Sequence, residues 1–276
     1  MKTIRIKDRP VLFLDSGIGG IPYCRHFLER NPDQSIVYLA DREHFPYGGR
    51  KKEELAGILI RLTEQAIKAF NPKIAILACN TATLASISQL RKRFPSLPFV
   101  GTEPAIKPAA LASKTGKIGV LGTELTIREP YIRELAARHG SCEIIGIAAP
   151  ELVKLIETRL DSASAEEKKA MVRDYLNRFR TAGTDAIVLG CTHFLFLLEE
   201  FRQEAAPDIN IFESINGISQ RIESLLAESF PQEQKPEITK EAVQNRLLLT
   251  GRPAPENSWV NWADRLGFKL SLLEET

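Results

Sequence analysis

No apolar run in this chain of 276 residues approaches the ~18 that a membrane-spanning helix needs, so a membrane-spanning protein is not the reading. A surplus of one charge is missing too. Lys and Arg number 37 against 35 Asp and Glu, a formal charge of +2, which points neither to nucleic acid nor to an anionic membrane surface as partner. Residues 1–10 are basic and polar, and the apolar run behind them, residues 11–14, is too short for the core of a signal peptide. The protein is therefore expected in the cytosol, where its four cysteines, Cys24, Cys79, Cys142 and Cys191, stay reduced although their number is even. Ligands for zinc are lacking as well. Cys191 and His193 lie two residues apart, but no further ligands stand at the spacing a tetrahedral site needs, so no metal is expected.

What remains is ordinary globular material, 43% hydrophobic and 26% charged, enough for one large or two ordinary domains with a substantial core. Two matching stretches organise it. Residues 74–78 and 186–190 are short apolar, β-rich runs ending in a small residue, and each presents a cysteine, Cys79 or Cys191, followed by small polar residues and helix-compatible sequence. A buried strand that ends this way puts the thiol at the strand's carboxyl end, where open α/β sheets bind ligands. It also puts the thiol near a helix N-terminus, whose dipole favours thiolate. The two cysteines are 112 positions apart and share one local grammar.

The chain in order supports a duplication. Residues 11–14 read as a strand running into the glycine-rich turn Asp15-Ser16-Gly17-Ile18-Gly19-Gly20, with a helix over 21–31. A strand at 36–39 leads to Asp41 and the loop Phe45-Pro46-Tyr47-Gly48-Gly49. A helix over 53–70 precedes the Cys79 strand, and another runs to about Phe94. The order then restarts with a strand at 117–121 ending in Gly122-Thr123, a helix over 127–139 stopped by Gly140, a strand at 143–147, a helix over 150–159, and a helix over 165–181 capped by Ser162 or Ser164. The Cys191 strand follows. The expectation is an α/β protein of two pseudo-twofold-related, βαβ-type halves, mainly parallel, with the active site in the cleft between them. The first half is residues 1–100, completed by 231–276; the second is 101–230.

Each motif also has a plain reading. An Asp before glycine is usually a turn former, although the turn at 15–20 also suits a phosphate. Pro46-Tyr47-Gly48 alone is a turn, and the basic residues at 50–52 are a solvated face. Cys24 and Cys142 read as inert, since a free cysteine is usually a small buried hydrophobe. Together the motifs say more. Two thiols flanking one carbon suit the removal of a proton from one face and its return to the other, which is racemisation without covalent attachment. An ordinary thiol, at about 8.5, needs only modest tuning for that work. Ser16, Asn80, Thr81, Thr83, Thr123 and Thr192 suit hydrogen bonding to a charged α-amino acid.

The ordered set Asp15–Gly20, Pro46-Tyr47-Gly48, Cys79-Asn80-Thr81-Ala82, Gly101-Thr102-Glu103-Pro104 and Gly190-Cys191-Thr192-His193 closely resembles the glutamate racemases of the cofactor-independent aspartate/glutamate racemase superfamily. The resemblance implies interconversion of L- and D-glutamate to supply peptidoglycan, without metal or pyridoxal phosphate, in a protein that is usually a homodimer. It also implies roles. Cys79 and Cys191 match the two acid/base cysteines, Asp15 and His193 the polar residues assisting them, and Glu157 an auxiliary glutamate. Asp15-Ser16, Pro46-Tyr47-Gly48, Asn80-Thr81 and Thr192-His193 match substrate-binding positions. The chain departs from the family pattern at Phe194-Leu195, where Tyr-Pro is usual, and at Glu213-Ser214, where Asp-Ser is usual. Other readings stay open. They are a sister racemase acting on aspartate or hydantoins, a Cys–His hydrolase or transferase with Cys191 as nucleophile, and an amino-acid-binding protein without catalysis.

Overall fold

Strands buried on both faces read as unbroken apolar runs rather than alternating ones, and that is the pattern here. A computed structural model describes residues 9–139, 142–230, 244–251 and 256–273. Of these, the residues up to Thr102 and from Ile215 onward form one compact unit, and Glu103–Ser214 form the other.

The first unit is built on β1 (Val11–Asp15), β2 (Ile36–Ala40), β3 (Ile74–Leu77) and β4 (Phe99–Gly101), extended by β9 (Arg246–Leu249) and β10 (Lys269–Leu272) from the far end of the chain. Its order is β10-β9-β2-β1-β3-β4 and every pairing is parallel. All residues of β1, β2 and β3 are buried. Helices α1 (Ile21–Arg30), α2 (Lys52–Phe70), α3 (Asn80–Arg93), α10 (Ile215–Ser229) and α11 (Asn257–Leu266) complete it. On α2 the buried residues Leu55, Ile58, Leu59, Leu62 and Ala66 recur at three- and four-residue spacing, one stripe facing the core. Each such Leu or Ile contributes about 1.5–3 kcal/mol of burial. The approach of α1 to the sheet requires Gly20. A Cβ there would stand 2.6 Å from the Ala78 Cβ and 2.9 Å from the Tyr38 hydroxyl.

The second unit holds β5 (Lys117–Gly122), β6 (Glu143–Ala148), β7 (Ala186–Leu189) and β8 (Asn210–Phe212), all parallel in the order β6-β5-β7-β8. That is the order β2-β1-β3-β4 of the first sheet, strand for strand. The repeat read from the sequence is thus present in the topology, and Cys79 and Cys191 each follow the third strand of their set. Its helices are α4 (Ile106–Ala112), α5 (Glu124–Arg128), α6 (Pro130–Ala137), α7 (Pro150–Arg159), α8 (Ala165–Thr181) and α9 (Leu198–Ala205). Of the two serines weighed as the cap of α8, Ser164 takes the role. Its side chain accepts from Glu167 N at 3.2 Å while the Glu167 carboxylate accepts from Ser164 N at 2.7 Å.

Three local expectations change. The helix expected over 127–139 begins at Glu124 and is cut in two, because Pro130 cannot continue the hydrogen-bond ladder and Glu129 before it is extended; Gly140, its expected stop, lies outside the described residues. Cys191 is followed not by an α-helix but by a 3-10 helix, Thr192–Leu197, with α9 only after it. Helix α10, which the reading 101–230 placed in the second half, packs on α1 in the first unit. There Arg30 grips Glu223 with two bonds of 2.7 and 2.8 Å, and Asn31 adds one of 3.1 Å.

Candidate functional site

In the first unit, candidate residues collect at the carboxyl ends of adjacent parallel strands. Leu14 pairs with Leu77, so Asp15 and Cys79 leave neighbouring strands side by side. Cys79 is the extended N-cap residue of the 14-residue α3, and its carbonyl accepts from Thr83 N at 2.9 Å. Its thiol thus stands where the first-turn amides and the helix dipole stabilise negative charge. Asp15 is fully buried, and its carboxylate accepts from Gly17 N at 2.7 Å, while Tyr38 donates to the Gly17 carbonyl at 2.9 Å. The turn at 15–20 is therefore organised by its own aspartate. Ser16, Asn80, Thr81 and Thr83 are buried around these two residues. The Thr83 hydroxyl donates to the Leu77 carbonyl at 3.4 Å. The Asn80 Oδ1 is buried with no hydrogen-bond partner among the described residues, an acceptor open to a cationic donor.

Pro46 caps a 3-10 turn over Tyr47–Gly49 and follows a cis peptide bond from Phe45. Tyr47 is buried, and its hydroxyl donates to Asp41 at 2.7 Å. Burial, the Asp41 carboxylate and the charges of Cys79 and Asp15 push the phenol well above its ordinary range, so it stays protonated and donates. Asp41 closes β2 much as Asp15 closes β1, and the sequence marked its place without giving it a role.

In the second unit, Gly190 N donates to the Leu121 carbonyl at 2.7 Å, which sets Cys191 beside the end of β5 and Thr123. The Thr123 hydroxyl caps α5, accepting from Thr126 N at 3.3 Å. Cys191, Thr192 and His193 are all buried. The sulfur lies 3.8 Å from His193 Nδ1, and His193 Nε2 lies 2.7 Å from Glu157 on α7. Burial opposes a charge on the imidazole, but the hydrogen bonds and charges of Cys191 and Glu157 outweigh it and hold His193 well above its ordinary range. The result is an imidazolium between a carboxylate and a sulfur. Glu157, given a role by the resemblance alone, thus lies in direct contact with His193. Cys24, by contrast, is fully buried and burial alone pushes its thiol far up, which leaves it inert, and Cys142 packs partly buried at a core edge.

Among the described residues no group of three or more His, Cys, Asp or Glu is arranged to hold a metal, and no helix is long and apolar enough to cross a membrane. Two parallel sheets of one strand order, each carrying a cysteine directly after its third strand, define a duplicated α/β protein with a thiol in each half. The chain belongs to the Asp/Glu/hydantoin racemase family, which it matches over residues 26–217. It is 37% identical over 223 residues to a glutamate racemase of Herpetosiphon aurantiacus, covering 80% of this chain and 86% of that one. It is 38% identical over 227 residues to one of Brucella anthropi, covering 79% and 80%. The solved Escherichia coli glutamate racemase, in complex with L-glutamate and an activator, UDP-MurNAc-Ala, superposes with a TM-score of 0.80 at 30% identity over 96% of this chain and 97% of that one. The resemblance drawn from the five motifs is borne out.

Proposed function

We propose that this protein is a glutamate racemase in which Cys79 and Cys191 are the two acid/base groups. The observation that carries the reading is the equivalent placement of the two thiols, each directly after the third strand of the same sheet order. In each turnover one thiolate takes the Cα proton and becomes a thiol. The planar carbanionic intermediate then receives a proton from the other thiol, which becomes a thiolate. Turnover from L to D therefore leaves the enzyme in the form that acts on D-glutamate, and proton exchange with water restores the first form. By resemblance Cys79 acts on D-glutamate and Cys191 on L-glutamate. Asp15 then assists Cys79, and the His193–Glu157 pair assists Cys191. Asn80, Thr81, Ser16, Tyr47-Gly48, Thr123 and Thr192 hold the substrate. No metal or pyridoxal phosphate takes part. The D-glutamate formed serves peptidoglycan synthesis in the cytosol, and the working enzyme is a homodimer.

Racemisation in heavy water is the test. Protein stripped of metals and pyridoxal phosphate is expected to interconvert the enantiomers with solvent deuterium entering the product at Cα. Product formed without solvent hydrogen, or activity that needs an added cofactor, contradicts the reading. One observation favours a second reading. Cys191, His193 and Glu157 form the thiol–imidazole–carboxylate chain of a cysteine hydrolase. That reading gives Cys79 no work, so full activity on any substrate after Cys79→Ser would support it.

A further inference from the structure

At the end of β2 stands a carboxylate that this chemistry does not use. Asp41 is fully buried and collects donors from three directions. Tyr47 donates to Oδ2 at 2.7 Å, Thr250 donates to Oδ1 at 2.6 Å, and His44 Nδ1 lies 2.9 Å from both oxygens. Thr250 follows β9 and is 209 residues away along the chain. Every polar atom of it faces the same turn. Its backbone N donates to the Ala40 carbonyl at 3.2 Å, its hydroxyl accepts from Glu43 N at 3.2 Å, and its carbonyl accepts from Arg42 Nε at 2.8 Å. Arg42 also donates to the Gly251 carbonyl at 3.0 Å.

We infer that Thr250 is a positioning residue for the Tyr47-Gly48 segment, acting through Asp41. The inference rests on the proposed role of that segment in holding the substrate. A carboxylate held by one donor can swing about its last torsion; one held from three sides cannot. Thr250 is the donor least able to follow such a swing, because its own backbone is locked to Ala40 and Arg42. Asp41 is thus fixed against the sheet, and Tyr47, whose phenol must donate, is fixed by Asp41. The Asp41 backbone N also donates to the Asp15 carbonyl at 2.8 Å, so the same anchor is tied to the strand end beside Cys79.

The test uses the full chain and steady-state kinetics with both glutamate enantiomers. Thr250→Val keeps the shape and removes the hydroxyl. It is expected to raise KM about tenfold for both enantiomers, the worth of one hydrogen bond to a charged group, with kcat within about twofold of the parent. Thr250→Ser restores the hydroxyl and is expected to restore KM. Tyr47→Phe is expected to raise KM by itself, and Thr250→Val added to it to cost nothing further. A parent-like KM in Thr250→Val, no recovery in Thr250→Ser, or additive losses in the double variant overturns the inference. Should Thr250→Val fail to fold, a parent-like KM in Tyr47→Phe overturns it equally. If the parent does not racemise glutamate, the functional reading fails, and the positioning is decided by amide hydrogen exchange across residues 42–49. Faster exchange in Thr250→Val but not in Thr250→Ser supports it, and identical exchange in all three overturns it.

Discussion

Glu157→Gln isolates the His193–Glu157 pair proposed to assist Cys191. Glu157 lies 2.7 Å from His193 Nε2, with side-chain exposures of 12% and 3% for the two residues. A charge-assisted hydrogen bond of this kind contributes about 1.5–3 kcal/mol. Removing one partner of a buried pair costs about 3–5 kcal/mol when the survivor must keep an unpaired charge. His193 escapes that larger cost by giving up its proton, so the expected loss is about 2 kcal/mol, roughly thirtyfold in the unfolding constant. The loss depends on pH with a definite sign. Below about 6.5 the histidine is protonated in both folded and unfolded chains, and the pair stabilises fully. Above it the unfolded chain releases its proton while the folded chain, whose His193 is raised well above the ordinary value, holds on. The parent therefore loses this contribution as pH rises toward the folded value. Glu157→Gln brings the folded value back down, so the gap between variant and parent narrows with rising pH. Urea unfolding of both proteins at a series of pH values gives the difference curve, and NMR titration of His193 gives the shift itself. A gap that stays constant from about pH 6 to about pH 10, or a parent His193 that titrates near 6.5, would refute the reasoning.

Cys79→Ser and Cys191→Ser are each expected to abolish racemisation, because a hydroxyl is too weak an acid to supply the anionic base, while Cys24→Ser keeps activity at a packing cost of order 1 kcal/mol; a chiral assay of the purified variants checks both. Asp15→Asn slows the Cys79 step, so with Cα-deuterated substrates its primary isotope effect grows for D-glutamate and shrinks for L-glutamate, and His193→Asn does the reverse. Shifts in the same sense for both variants would contradict one helper per cysteine. Gly20→Ala drives a Cβ to 2.6 Å from that of Ala78 and is expected to cost about 1–3 kcal/mol in denaturant unfolding with the strand order unchanged.

What the sequence made legible follows from what is local. Strands β1, β2, β3, β5 and β7 are buried on both faces, and burial of that kind leaves an apolar run that needs no partner to be read. Both cysteines and Asp15 sit where such runs stop, so they could be placed before any contact was known. Helix α4 was not read; its Pro108 lies in the first turn, where no intrahelical donor is required. The split at Pro130 is the opposite error, a helical period carried through a residue that cannot continue it. Asp41 could be seen but not understood. Its meaning lies in Tyr47 and in Thr250, and the second of these comes from β9, which the chain reaches only after the whole second unit. For the same reason α10 was assigned by sequence adjacency to the unit it leaves rather than the one it joins.

Under the proposed chemistry the two thiols draw on different devices, and the local structure accounts for this. Cys79 opens a helix of 14 residues, long enough for aligned peptide dipoles to stabilise charge on the sulfur. Cys191 opens a six-residue 3-10 helix, too short to sum a comparable dipole. A cation takes its place there, a buried histidine kept charged against its burial by Cys191 and Glu157. Under the proposed chemistry the two devices have to agree in strength. The enantiomers have equal free energy in water, so the enzyme alternates between one form with thiolate at Cys79 and another with thiolate at Cys191. The ratio of these forms is set only by the difference in basicity between the two sulfurs. One pKa unit of mismatch is 1.36 kcal/mol, a tenfold bias that leaves the form needed for one direction scarce. Weakening either device alone tilts the ratio, and a change that weakens both together leaves it where it was.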